Sequence, residues 1–297
     1  MAIQLGERVY VMPGGTNIGV IIADDGRAVL IDSGLNDTPA RKVLRFVRDD
    51  LGTEIAAIIN THGHADHFGG NAFLVKRTGA QVFAPNLDEM TLRHPLMQPI
   101  MLYGGADPVD AIRTSFLVAD ASPVDGIVSV GKGSYAGIEL EAISLPGHSM
   151  NQLGYLIDDV FFCADVVFPE ATLEKYPIPY LYGLTEHLAA LERSKSVACN
   201  QLIPGHGPIL DCIELLVNRN LEAIQTVIET ILKIVDRPMM ADEICRDLFN
   251  AMELTMTDAQ AYYLLRPTVQ AYLAHLEREG SLRLEMQHGS VVWLPGA

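Results

Sequence analysis

The stretch "IINTHGHADHFGGN", residues 58–71, constrains this chain more than any other. Three histidines and an aspartate (His62, His64, Asp66 and His67) fall within six positions directly after an apolar run, in a chain with nine histidines in all. Side chains alternate along an extended backbone, so His62 and His64 share one side. If the chain then turns into a helix start, Asp66 and His67 face back towards the same spot. Gly63 and Ala65 keep the crossing small, while Gly69 and Gly70 permit close backbone approach. Neutral imidazole nitrogens and carboxylate oxygens are ligands for zinc and other borderline first-row metals. The cluster is therefore a metal site in waiting, provided that further ligands arrive from elsewhere.

Three candidates exist. "LPGHS" sets His148 just after a strand, and "IPGHG" sets His206 in nearly the same context. Pro-Gly before a histidine makes a stiff turn at a strand end, which fixes an imidazole. Between them, "FCADV" carries Asp165 inside an apolar segment, where a bare carboxylate is costly and must be paired or metal-bound. A single histidine at a strand end is usually no more than a satisfied polar residue, so His148 and His206 gain weight only together with the cluster. His94, His187, His275 and His288 lack such context and read as surface or packing residues. Cys163, two residues from Asp165, reads as a buried structural thiol. Tyr180 and Tyr182, in "PIPYLYG", either donate a hydrogen bond to a substrate oxygen or pack in the core.

The composite H-x-H-x-D-H, followed by a separate His, an Asp and a last His, resembles the metallo-β-lactamase fold superfamily of metal-dependent hydrolases, over roughly residues 1–210. "LIDSG" is similar to that superfamily's early motif, in which Asp32 would brace the metal loop from behind. The resemblance implies that His62, His64 and His148 hold one ion, that Asp66, His67 and His206 hold a second, and that Asp165 bridges them. It implies two divalent ions, zinc foremost with iron or manganese as alternatives, and a bridging hydroxide that attacks a small ester, thioester or lactone. Asp66 would also orient or relay the proton. The pattern sits nearest the glyoxalase II and lactonase-like branch. Two other chemistries share the fold: a metal-dependent nuclease or phosphodiesterase, and a persulfide dioxygenase with one iron on His62, His148 and Asp165.

Organisation along the chain agrees with that fold class. Strand-like and helix-like segments alternate over the first 85 residues, the mark of an α/β domain, and the resemblance implies a four-layer αβ/βα sandwich over 1–210. Residues 86–130 read as an irregular insertion: a lid over the site, a structural flap or a dimer contact. Residues 211–297 read as a small helical, winged-helix-like domain that ends in a β-hairpin, with a long amphipathic helix from Ile213 to Val235 stopped by Pro238. A DNA-binding role for that part is disfavoured by charge. The chain carries 37 acidic against 21 basic residues, and residues 211–297 alone carry 13 against 7, whereas nucleic-acid binding rests on Lys and Arg. The C-terminal part reads instead as a structural cap or homodimer contact. Four scattered cysteines, no signal-like N-terminus and no membrane-length apolar run point to a cytoplasmic protein acting on a small molecule, without a membrane.

Overall fold

The computed structural model describes residues 1–296. Two sheets face each other across an apolar interior. The first runs in sequence order: β1 (Ile3–Gln4), β2 (Val9–Met12), β3 (Ile18–Ile22), β4 (Ala28–Ile31), β5 (Ile55–Ile59), β6 (Gln81–Pro85) and β7 (Gly126–Val128). Its first four strands are antiparallel hairpins, and β4 through β7 pair in parallel. The parallel half needs crossovers, and helices supply them. They are α1 (Asp37–Arg45), whose last turn widens over Phe46–Asp50, then the single turn α2 (Ala65–Phe68) and α3 (Asn71–Thr78).

The stretch expected to be irregular, 86–130, holds two short helices, α4 (Glu89–Arg93) and α5 (Met97–Leu102), before it ends in β7. Helices of five and six residues carry too few turns to show a period in sequence. The second sheet lies in the order β12-β11-β10-β9-β8. Its strands are β8 (Gly131–Tyr135), β9 (Ile138–Ser144), β10 (Leu153–Ile157), β11 (Val160–Ala164) and β12 (Gln201–Pro204). Between β11 and β12 come α6 (Glu170–Lys175) and α7 (Leu184–Lys195).

Three apolar clusters hold the layers. The inner faces of both sheets meet through Val11, Ile21 and Ile59 on one side and Leu140, Tyr155 and Phe162 on the other. Ala40, Val43, Val47 and Leu74 of α1 and α3 cover the outer face of the first sheet. The outer face of the second sheet, through Phe161, Cys163 and Leu202, packs on α7 and on the C-terminal helices α8 (Glu214–Ile234), α9 (Ala241–Ala251) and α10 (Ala259–Arg278). The result is a four-layer αβ/βα sandwich with extra helices on one side and a terminal hairpin, β13 (Leu282–Gln287) and β14 (Ser290–Pro295). Among the described residues no helix is long and apolar enough to cross a membrane.

Two helices depart from their sequence reading. The α8 stripe of Val217, Ile224, Val227 and Ile231 is buried as expected, yet it also buries Asn220. That side chain is satisfied by the backbone of Phe168, accepting from its N–H at 2.9 Å and donating to its carbonyl at 3.0 Å. Helix α10 starts well before "AYLAHLEREG" and passes through Pro267. Proline removes one ladder bond and crowds the preceding turn, but Thr268, Val269, Tyr272 and Leu273 around it are fully buried, and that packing outweighs the local cost.

Candidate metal centre

The first sheet delivers the cluster at its C-terminal edge. After β5 the chain makes a tight bend through Thr61–Gly63, and His64 stands just ahead of α2. Close backbone approach explains the glycines: a Cβ on Gly69 would lie 2.0 Å from the Leu35 carbonyl oxygen, and one on Gly70 2.5 Å from that of Ser33. The second sheet delivers the rest. His148 follows β9, His206 follows β12, and Asp165 follows β11. Ala164 sits in the left-handed region at φ 52°, and the β11–β12 register shifts between Phe162 and Ala164. Such a bulge re-aims the following side chain, here the carboxylate of Asp165. Gly205 makes room for it, since a Cβ there would stand 1.9 Å from Asp165 Oδ1.

All seven expected ligands converge. The ligand atoms of His62, His64 and His148 lie within 4.8 Å of one another, as do those of Asp66, His67 and His206, and those of His62, His67 and Asp165. Asp165 sits between the groups: Oδ1 is 3.4 Å from His67 Nε2, while Oδ2 is 3.4 Å from His148 Nε2 and 3.3 Å from His206 Nε2. His206 Nε2 is also 3.2 Å from Asp66 Oδ2.

Four of the five imidazoles are braced through Nδ1. His67 Nδ1 donates to Asp32 Oδ2 at 2.8 Å, His148 Nδ1 to the Tyr180 carbonyl at 3.1 Å, and His206 Nδ1 to the Gly15 carbonyl. The Thr61 hydroxyl donates to Asp32 Oδ2 at 2.8 Å, so it accepts from His62 Nδ1 at 3.0 Å. With oxygen acceptors on Nδ1, each ring points its Nε2 into the interior, where His148 Nε2 lies 2.8 Å from His64 Nδ1. His62 Nε2 is fully buried with no hydrogen-bond partner, and the equally buried His67 Nε2 and Asp165 Oδ1 have only each other, at 3.4 Å. Orphaned buried groups of this kind demand an explanation, and a bound cation supplies one.

The electrostatics agree. Burial drives His62 well below the usual imidazole range, and burial followed by the His148 charge takes His64 down to about 3. His67 also feels burial, but Asp165, Asp66 and Asp32 outweigh it and hold the ring up at about 10. Asp165 leads the causes that lift His206 to about 12. Burial opposes ionisation of Asp66, yet His67 and His206 keep it at about 2. Three clustered carboxylates make this a place where positive charge is stabilised, which suits divalent ions coordinated by neutral imidazole and carboxylate.

The model of the Metallo-beta-lactamase superfamily matches residues 11–206. This chain belongs to that superfamily. A hydroxyacylglutathione hydrolase from Albidiferax ferrireducens is 28% identical over 187 residues, 60% of this chain and 59% of that protein. The chain thus spans about three fifths of that relative's length. The beta-lactamase-like protein 2 homolog of Drosophila melanogaster is 23% identical over 282 residues, 91% of this chain and 85% of that protein. Among solved structures, a metallo-beta-lactamase family protein from Thermus thermophilus aligns with TM-score 0.76 at 18% identity, covering 98% of this chain and 100% of the other. A beta-lactamase domain protein from Burkholderia ambifaria aligns with TM-score 0.74 at 19% identity, covering 99% and 94%. These likenesses show the fold, including the C-terminal helices.

Two cavities open from the cluster of candidate ligands. A small one of about 110 Å³ is lined by His64, Asp66, His148 and Asp165, with Phe116, Leu117 and Leu264 opposite. A larger one of about 550 Å³ starts at Gly63 and His64 and runs between α5 and α10. Tyr180 and Gln98 line both. The Tyr180 ring lies edge-on to His64 and His148, 5.4 and 5.8 Å between centroids. Burial raises its hydroxyl to about 12, against the pull of Gln98, so it stays a hydrogen-bond donor at any working pH. Tyr182 stands at the exposed rim.

Several supporting residues escaped the sequence reading. Asp88 accepts from the amides of Gly63 at 2.9 Å and Asn151 at 2.8 Å, tying the cluster loop to the loop that carries His148. Its partners lie 25 and 63 positions away, and no local signal marks it. Thr61 stood within the quoted motif, but its relay needs Asp32 in space. His187, read as a surface or packing residue, is a packing one: it is only 1% exposed, and its ring lies 6.3 Å from Phe168, which packs on His148. Cys163 is buried, as expected, and all four cysteines are free.

Proposed function

We propose that the protein is a metal-dependent hydrolase with a two-ion centre, acting on a small ester, thioester or lactone. His62, His64 and His148 would hold one ion, and Asp66, His67 and His206 the other, with Asp165 between them. The observation that carries this reading is the bracing. Four imidazoles are anchored through Nδ1 to oxygen acceptors; His67, His148 and His206 aim Nε2 at the shared carboxylates, and His62 Nε2 is buried beside them without a partner. The similarity to hydroxyacylglutathione hydrolases of Albidiferax ferrireducens and Methylobacillus flagellatus supports the thioester side of the choice.

Divalent ions in such a pair supply Lewis acidity, lowering the pKa of water and polarising a carbonyl oxygen; zinc fits the donor set best, with iron or manganese as alternatives. The chain's own residues do the rest. Asp66 is the more accessible of the two central carboxylates, its side chain 26% exposed against 5% for Asp165. It takes the proton released by water and returns it to the leaving atom. Tyr180 reaches both cavities and donates to a substrate oxygen. The long cavity between α5 and α10 takes the body of the substrate: Met101, Leu102, Pro267, Ala271 and Ala274 give it an apolar lining, and its volume is ordinary for a ligand pocket.

That cavity also bears on the C-terminal segment. The helix that a DNA-binding winged helix would offer to a groove turns one face, Pro267–Gln270–Ala271–Ala274, into the cavity, and the net charge of -16 repels phosphate. This supports a substrate wall over a nucleic-acid reader. The deciding experiment compares short and long ester, thioester and lactone substrates with a phosphodiester, alongside oxygen consumption with a persulfide. Hydrolysis of the acyl substrates that disappears in His206→Ala supports the proposal. Oxygen uptake that survives His206→Ala overturns it in favour of one iron on His62, His148 and Asp165.

A further inference from the structure

We propose that the free edge of β13 pairs with β13 of a second copy of this chain, antiparallel about a twofold axis at Leu284. The hairpin is left in a state that folded proteins usually avoid. Two strands alone are marginal in water, and an open edge with apolar neighbours invites pairing. The outer edge of β14 is partly covered: Met239 N–H donates to the Trp293 carbonyl at 3.0 Å, and Trp293 N–H to that of Met239 at 2.8 Å. The outer edge of β13 has no strand beside it among the described residues.

The register of the hairpin fixes what that edge presents. Gln287 faces Ser290 across a two-residue turn, His288–Gly289, with both φ angles positive at 52° and 81°. In such a turn the flanking pair exchanges its backbone hydrogen bonds. The parity then points the N–H and carbonyl groups of Leu282, Leu284 and Met286 outward, away from β14. On one face of the sheet Leu284 stands opposite Trp293, and Met286 opposite Val291. Leu284, Met286 and Val291 are 50%, 68% and 48% exposed, an apolar patch that runs to the open edge.

The charges choose the occupant and the register. Arg283 and Glu285 flank Leu284 symmetrically, are both solvent-accessible, and approach each other only to 3.5 Å within their own strand. An antiparallel pair centred on Leu284 sets Arg283 against the partner's Glu285 and Glu285 against the partner's Arg283. It also sets Leu282 against the partner's Met286. The charged pairs fall at non-hydrogen-bonded positions, where side chains come closest, while the outward groups form about six new ladder bonds. Centring one residue either way would put Arg283 against the partner's Arg283, or Glu285 against the partner's Glu285, which is unfavourable. A strand whose charges complement their own inverted copy fits an isologous contact.

The test is the mass of the full chain in solution, by light scattering or sedimentation, over a wide range of protein concentration. The wild type should reach twice its 32.4 kDa. Arg283→Glu, which sets like charges across the axis twice, should stay monomeric with an unchanged melting temperature. Arg283→Glu combined with Glu285→Arg should restore the dimer. A wild type that stays monomeric at every concentration overturns the proposal. So does a dimer that Arg283→Glu leaves intact, or a double variant that fails to regain it.

Discussion

Asp32→Asn should loosen the metal ions while leaving the fold in place. Asp32 sits at φ 61°, a conformation that Asn tolerates, so the backbone does not confound the test. Every neighbour of the carboxylate is a donor: Thr61 N–H, Thr61 Oγ–H and His67 Nδ1–H at 2.8 Å, and Asn60 Nδ2 at 3.4 Å. The single amide oxygen of Asn serves Thr61 N–H and leaves an NH2 facing both the Thr61 hydroxyl and His67 Nδ1. Facing a donor, the His67 ring moves its proton to Nε2 and stops being a ligand there. Thr61 turns to accept from the NH2, and His62 loses its fixed partner. Losing such a brace costs metal affinity about 10–100-fold, or roughly 1.4–2.7 kcal/mol per ion. Thr61→Val, which lacks only the hydroxyl, frees His62 and keeps the Asp32–His67 bond. Competition titration with a chromophoric chelator reads both sites, and circular dichroism confirms folding. Asp32→Asn should weaken both ions, and Thr61→Val only the one held through His62. Wild-type affinity for two ions in Asp32→Asn would refute the bracing argument.

Three further outcomes follow. Burial holds His187 neutral with its pKa taken down to about 3, while in the unfolded chain it takes up a proton near 6.5. Its contribution to stability is therefore complete above pH 6.5 and declines as pH falls towards 3, by up to about 5 kcal/mol; thermal melts against pH should show a shallower acid slope for His187→Phe than for the wild type. Ala271→Phe fills the long cavity, so kcat/KM should fall by about tenfold or more for long acyl substrates and by less than about twofold for short ones, with metal content unchanged by elemental analysis. Asn220→Leu strips the Phe168 backbone of two buried hydrogen bonds; it should lower stability by about 1–3 kcal/mol in denaturant titration.

What the sequence reveals here depends on range. The candidate ligands sit in short local frames, a strand end followed by a tight turn, and their residue types are chemically specific, so His62, His64, Asp66, His67, His148, Asp165 and His206 stand out from the sequence. Apolar strands separated by turn residues such as Asp24–Gly26, with helices between them, mark an α/β domain, while the two-sheet sandwich comes from the family resemblance. Groups that work through distant partners stay hidden. Asp88 is an ordinary acidic residue until the fold sets Gly63 and Asn151 against it, and Asn220 is a flaw in an apolar stripe until Phe168 arrives. The length of α10 was obscured by Pro267, whose local penalty is overruled by the burial of Thr268, Val269, Tyr272 and Leu273 just after it. Its role as a cavity wall depends on where α5 lies, which no pattern within α10 encodes.

Metal content per chain tests the central claim most directly. Protein purified without added metal and analysed for zinc, manganese and iron should carry close to two ions. His206→Ala should retain about one, because only the group of Asp66, His67 and His206 loses a ligand. One ion in the wild type, unchanged in His206→Ala, would contradict the two-ion centre.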